Sequence, residues 1–244
     1  MTGESYLFYT LIPLVAFFYA SVGHGGASGY LALMALFSFP NDMMKQTALL
    51  LNLFVAGIAF FQYYKAGHFN KRLFLFFALG SVPASFIGGL WSLDPWLYKK
   101  ILGFILFFAI VRMLFKKETT DRHIKKIPVV VALLIGIVIG FFSGLIGMGG
   151  GIILTPVILL FHWGKMKEAA AVSALFIWVN SASGLLGQFS SGVTLSANSF
   201  ILVILALVGG LLGSFLGSQR LNNRRLEYFL ALVLTSAGIK LILF

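Results

Sequence analysis

The sequence predicts an all-α polytopic membrane protein made of two inverted repeats, and three observations lead there. The 244 residues are 59% hydrophobic and only 10% charged, with a mean hydropathy of +0.98. Soluble domains carry about 25% charged residues. The apolar residues gather in eight runs, 6–39, 43–64, 73–93, 96–115, 128–162, 169–188, 196–219 and 226–244. About 20 helical residues cross a bilayer, which suits six of these runs. The first and fifth are longer, and each carries a copy of one glycine cluster.

The first run holds 34 residues around Gly23-His24-Gly25-Gly26-Ala27. The fifth holds 35 around Gly147-Met148-Gly149-Gly150-Gly151, 124 positions later. Each glycine inside a helix costs about 1 kcal/mol against alanine. A chain that accepts this cost twice, at matching places, is expected to expose backbone there. Backbone N–H groups at a helix start form a ready site for anions. Glycines spaced by four, Gly136, Gly140 and Gly144 or Gly209, Gly213 and Gly217, suit close helix packing instead.

Each long run is either one broken helix or a hairpin that dips in and returns. The positive-inside rule separates the two. With single crossings the basic residues divide ten inside and eight outside, almost no bias. With hairpins, fourteen lie inside: Lys65, Lys71, Arg72, Arg112, Lys116, Lys117, Arg122, Lys125, Lys126, Lys165, Lys167, Arg220, Arg224 and Arg225. Only Lys45, Lys99, Lys100 and Lys240 lie outside. The hairpin topology is therefore expected, with both termini outside. Residues 1–117 then form one repeat, 118–127 a basic cytoplasmic linker, and 128–244 the second repeat, inverted. Further echoes agree: Phe86-Ile87-Gly88 with Phe215-Leu216-Gly217, and Thr47 with Ser173. Inverted repeats with broken helices mark secondary transporters that bind near the bilayer midplane.

Composition removes several classes. The net charge of +11 sits at the ends of apolar runs, so it reports orientation rather than nucleic-acid binding. There is no cysteine, which excludes disulfides and thiolate metal sites. No cofactor, metal site or catalytic residue is expected. All seven carboxylates lie in loops or at run ends. A cation carrier usually keeps one in mid-membrane, so an anion held by dipoles and neutral donors is favoured. The candidate binding residues are Gly23, His24, Gly25, Gly26, Thr47, Gly147, Met148, Gly149, Gly150, Gly151, Ser173 and Asn180. His24 is the one histidine deep in a run and would serve as donor or proton carrier.

The run Ser143-Gly144-Leu145-Ile146-Gly147-Met148-Gly149-Gly150-Gly151 with Pro156, followed by Ala169 to Ile177 and Asn180-Ser181, resembles the signature of the TauE/SafE family. The resemblance covers essentially the whole chain. The first cluster departs from the second: Ala27 stands where the last glycine would be, and no proline matches Pro156. The resemblance implies a permease for small sulfur-containing anions, such as sulfite, sulfoacetate or other sulfonates, in the cell membrane of a prokaryote. It leaves cargo, direction, coupling and oligomeric state open. Three rivals remain: a small-anion channel with the same site, an intramembrane serine enzyme pairing Ser143 with His24, and a membrane subunit for a partner protein.

Overall fold

The computed structural model describes residues 3–114 and 124–219. The last apolar run, 226–244, lies outside them, as do Lys116, Lys117, Arg122, Arg220, Arg224, Arg225 and Lys240 and the Arg112 side chain. All regular structure among the described residues is helical: α1 (Gly3–Ser21), α2 (Ala27–Leu36), α3 (Asn41–Lys65), α4 (Lys71–Leu90), α5 (Pro95–Leu114), α6 (Val129–Ile146), α7 (Gly151–Leu160), α8 (Met166–Ser190) and α9 (Ala197–Gln219). Among the described residues five stretches are long and apolar enough to cross a bilayer: Met43–Lys65, Lys71–Leu90, Val129–Ile146, Met166–Ser190 and Ser199–Gln219. Exposed apolar side chains such as Leu79, Phe104, Val130, Ile204 and Leu212 line the outer surface, where lipid is the natural neighbour.

The helix ends follow local chemistry. Asn70 accepts the Leu73 N–H at 3.1 Å and caps α4. The Glu168 carboxylate reaches back to the Lys165 N–H at 2.9 Å and caps α8. Helices α3 and α8 both end next to a left-handed glycine, Gly67 at φ 77° and Gly192 at φ 85°.

Contact order gives the helix directions. Gly136, Gly140 and Gly144 of α6 lie against the carbonyls of Phe77, Ser81 and Ser85, so α6 runs parallel to α4. Gly209, Gly213 and Gly217 of α9 lie against Pro13, Phe17 and Ser21 in the same way, so α9 runs parallel to α1. Thr47 meets Ser199 and Val55 meets Gly210, which makes α3 parallel to α9. Val82 meets Ser183 and Phe86 meets Gly187, which makes α4 parallel to α8. Leu49 meets Gly184, Asn52 meets Ser181 and Gly57 meets Trp178, so α3 and α8 are antiparallel. Thus α1, α3 and α9 run one way, and α4, α6 and α8 run the other.

The short helices α2 and α7 come back toward where their partners began. The Phe8 ring near the start of α1 packs 5.3 Å from Phe37 and 4.7 Å from Phe39, just beyond α2. The Lys125 N–H, just before α6, donates to the His162 carbonyl just beyond α7 at 2.8 Å. The molecule therefore has two end faces. One carries Lys45, Lys99 and Lys100. The other carries Lys65, Lys71, Arg72, Lys125, Lys126, Lys165 and Lys167. On that second face His68 is held below its usual pKa by partial burial and then by the Lys167 charge, with Glu168 opposing.

The glycine stripes set the spacing of the helices. A Cβ on Gly144 would run into the Ser85 carbonyl, and one on Gly217 into the Ser21 carbonyl. Backbone cannot step aside as a side-chain tip can. Gly144→Leu is expected to force α6 off α4 and cost about 3 kcal/mol, the upper part of the usual overpacking range. Thermal unfolding in detergent checks this. A Tm equal to the parent's would show that α4 and α6 do not pack as closely as described.

Candidate functional site

The two glycine turns enter the molecule from opposite end faces and converge on one pair of side chains. Gly25 and Gly149 both lie against Asn52 of α3 and Ile177 of α8. A Cβ on Gly149 would sit 2.5 Å from Asn52 Nδ2, 2.7 Å from Ile177 Cγ2 and 3.1 Å from Ser181 Oγ. Five glycines in the turns have positive φ: Gly23 at 76°, Gly26 at 94°, Gly147 at 90°, Gly149 at 72° and Gly150 at 79°. Side chains with a Cβ rarely adopt such values, so the turns need glycine for their path as well as for space. Gly26 and Gly150 are the N-cap residues of α2 and α7, which places both helix starts at this centre.

Asn52 is fully buried and links the start of α2 to α8. Its Oδ1 accepts the Ala27 N–H at 3.1 Å, the first N–H of α2. Its Nδ2 donates to Ser181 Oγ of α8 at 3.3 Å. The start of α2 is thus capped from another helix, while N-cap Gly150 has no side chain with which to cap α7. Gly151 packs against the Ile177 side chain.

Beside the turns lies a second polar chain. His24 Nδ1 is 3.0 Å from the Val22 carbonyl, and its Nε2 is 3.3 Å from Thr155 Oγ1. Thr155 Oγ1 lies 2.8 Å from Ser173 Oγ and donates to it. A carbonyl only accepts, so Nδ1 carries hydrogen. Nε2 donates to Thr155 Oγ1 when the imidazole is protonated, and Thr155 then donates to Ser173. In the neutral form the hydroxyl chain reverses, Ser173 donating to Thr155 and Thr155 to Nε2. The direction of this chain therefore depends on the protonation state of His24.

Not every candidate residue faces the centre. Thr47 bonds Ser199 of α9 at 2.9 Å. Asn180 donates to Ser81 Oγ of α4 at 3.1 Å and to the Phe176 carbonyl at 2.8 Å. Met148 is buried, with its N–H 3.2 Å from the Ser143 carbonyl. Gly23 lies against Ala170 and Gly147 against Lys45.

Asn52, Ser181, Thr155 and Lys45 are the residues that sequence reasoning passed over as site candidates. Asn52 and Thr155 are visible as polar residues inside apolar runs, but nothing in the sequence ranks them above the others. The pairing of Ser143 with His24 is not built: Ser143 Oγ is buried and makes no hydrogen bond.

A bundle of helices long and apolar enough to cross a bilayer, with buried hydroxyls, amides and glycine backbone at its centre, has the make-up of a membrane transporter. The family model described as "Sulfite exporter TauE/SafE" matches residues 9–241, and the chain belongs to that family. The probable membrane transporter protein y4hK of Sinorhizobium fredii is 38% identical over 94% of each chain. The probable membrane transporter protein YjnA of Bacillus subtilis is 27% identical over 90% of this chain and 92% of its own. The probable membrane transporter protein MJ0441 of Methanocaldococcus jannaschii is 24% identical over 76% and 73%. No solved structure matches the chain.

Proposed function

We propose that this protein is a secondary transporter of small sulfur-containing oxyanions, sulfite or organic sulfonates, held where the two glycine turns meet. One observation carries the reading: turns from opposite faces converge on Asn52, with the starts of α2 and α7 beside them. Each helix start is equivalent to about half a positive charge, so two together balance one monoanion without a buried base. Asn52 Nδ2, the Ser181, Thr155 and Ser173 hydroxyls and His24 supply neutral or switchable donors around the same point. Coupling to a proton runs through His24 in this reading.

The inverted repeat is part of the proposal, with residues 1–117 and 128–244 as its halves and 118–127 as the linker. Exchanging α1–α4 with α6–α9 carries the α4–α6 pairing onto α1–α9, α4–α8 onto α3–α9 and α7–α8 onto α2–α3, and it reverses the directions of the long helices, which supports an inverted arrangement. Transport then proceeds by one half moving against the other. Among the described residues, seven basic side chains lie on one end face and three on the other. The richer face is assigned to the cytoplasm of a prokaryotic inner or plasma membrane. Both termini are then outside, and a reporter fused after Phe244 should be active only in its extracytoplasmic form. Activity of the cytoplasmic form would remove this orientation.

The test of function is counterflow by the purified full chain in liposomes. Labelled ethanesulfonate or sulfite should accumulate transiently against an internal pool of the same anion and should saturate. Sulfate should compete less well, because a dianion has more hydration to strip. Unsaturable flux without counterflow would make the protein a channel. Displacement of the cargo by sodium or ammonium would remove the anion site.

A further inference from the structure

A cavity of about 420 Å³ lies beneath the second glycine turn, on the face that carries Lys45. Its walls come from the start of α3, the end of α4 with the following loop, the end of α6, the end of α8 and the loop after it. Lys45, Gln46, Trp91, Tyr98, Gln188 and Ser191 are among its lining residues. Among the described residues Lys45 is the one charged side chain in the lining, and none of them brings a carboxylate to it. Among the described residues the Lys45 ammonium is held by backbone carbonyls, Trp91 at 3.0 Å, Gly89 at 3.3 Å and Gly88 at 3.4 Å. Its charge is therefore not neutralised by an acid there.

Two amide groups in this wall are unsatisfied. Gln188 and Gln46 are more than nine-tenths buried, yet Gln188 Nε2 and Gln46 Oε1 have no hydrogen-bond partner. A buried polar atom without a partner costs about 1–3 kcal/mol, so an occupant that bonds it is favoured. Leu145, at the end of α6 just before the turn, lines the cavity, and a Cβ on Gly147 of the turn would meet the Lys45 carbonyl at 2.8 Å and its Cγ at 3.1 Å. The volume exceeds what a bare oxyanion fills, and Trp91, Leu93, Leu145 and Val193 add apolar surface.

We propose that this cavity is a second binding site, an entrance vestibule that captures a small organic monoanion before it reaches Asn52. Lys45 and Gln188 hold its acidic head, and its short organic body lies on Trp91. This rests on the transporter reading above and adds to it the place of first capture and a preference for organic over bare anions. Ethanesulfonate and propanoate share the needed chemistry, and comparing them tells whether the head is a sulfonate or a carboxylate.

The chain has no cysteine, so Ser191→Cys in the exposed wall of the cavity gives a single labelling site. In the purified full-length protein, ethanesulfonate or propanoate should slow its reaction with a polar maleimide, and sulfate at equal ionic strength should not. Lys45→Gln and Gln188→Glu should each weaken that protection about ten- to a hundredfold, the size of one charge-assisted hydrogen bond. Lys45→Arg should largely retain it. Gln188→Glu is nearly isosteric, so its effect does not depend on α4 surviving the loss of Lys45. Protection unchanged in both Lys45→Gln and Gln188→Glu would overturn the vestibule even if counterflow persists. Protection that follows this pattern in a protein without counterflow would overturn the transporter reading and leave the site standing.

Discussion

Gly149→Leu and Gly25→Leu should each reduce transport to the level of empty liposomes while the protein still inserts and purifies as a folded species. These glycines differ from those of the helix stripes in what faces them. A Cβ on Gly149 meets side-chain atoms of Asn52, Ile177 and Ser181, whereas one on Gly144 meets the backbone of α4. The leucine therefore displaces the residues of the centre without driving two spanning helices apart. It also fills the space through which, in the proposed mechanism, an anion would reach the helix starts. Gly149 carries the further cost of a φ of 72°, which side chains with a Cβ rarely adopt. Counterflow together with a Tm in detergent separates the two effects. Near-normal transport with leucine at both positions would return the turns to packing alone.

Asn52→Asp should be almost as damaging, by a different route. Its carboxylate can still accept the Ala27 N–H, so α2 keeps its cap. The Nδ2 group that faces Ser181 and Gly149 is lost, and a negative charge takes its place. Two like charges 4 Å apart repel by about 4 kcal/mol at an effective dielectric constant of 20, so anion binding should weaken roughly a thousandfold. Cargo affinity measured by competition at fixed ionic strength gives the result. An affinity within a few fold of the parent's would mean that the anion does not approach Asn52.

The elements were legible where composition alone determines them. The apolar runs at 43–64, 73–93, 169–188 and 196–219 correspond closely to α3, α4, α8 and α9, because burial in lipid demands long stretches of one kind. The glycine stripes spaced by four were legible for the same reason, since only close backbone approach asks for that spacing. Side-chain direction within the helices was not legible. These helices are apolar almost all round, so no polar face tells which way Thr47 or Asn180 turns. Thr47 reaches α9 and Asn180 reaches α4, one helix away from the turns.

Asn52 was hidden because matching the two glycine runs favours residues that recur, which gives a single asparagine no weight. The structure brings Gly25 and Gly149 against this one side chain. Lys45 was hidden by its place near the start of a run, where a lysine ordinarily reports orientation. Its burial under Gly147 emerges only when the second turn is seen to reach across to α3.

The centre can be probed with the cargo's own chemistry. Ser181 bonds Asn52 and lies beside Gly149, and Ser181→Cys would be the only thiol in the chain. Its reaction with a methanethiosulfonate bearing an ethylsulfonate group should be compared with that of the trimethylammonium analogue in right-side-out and inside-out vesicles. The sulfonate reagent should react faster from both sides, and excess ethanesulfonate should slow it. Faster reaction of the cation, with no protection by the sulfonate, would contradict an anion site between the two glycine turns.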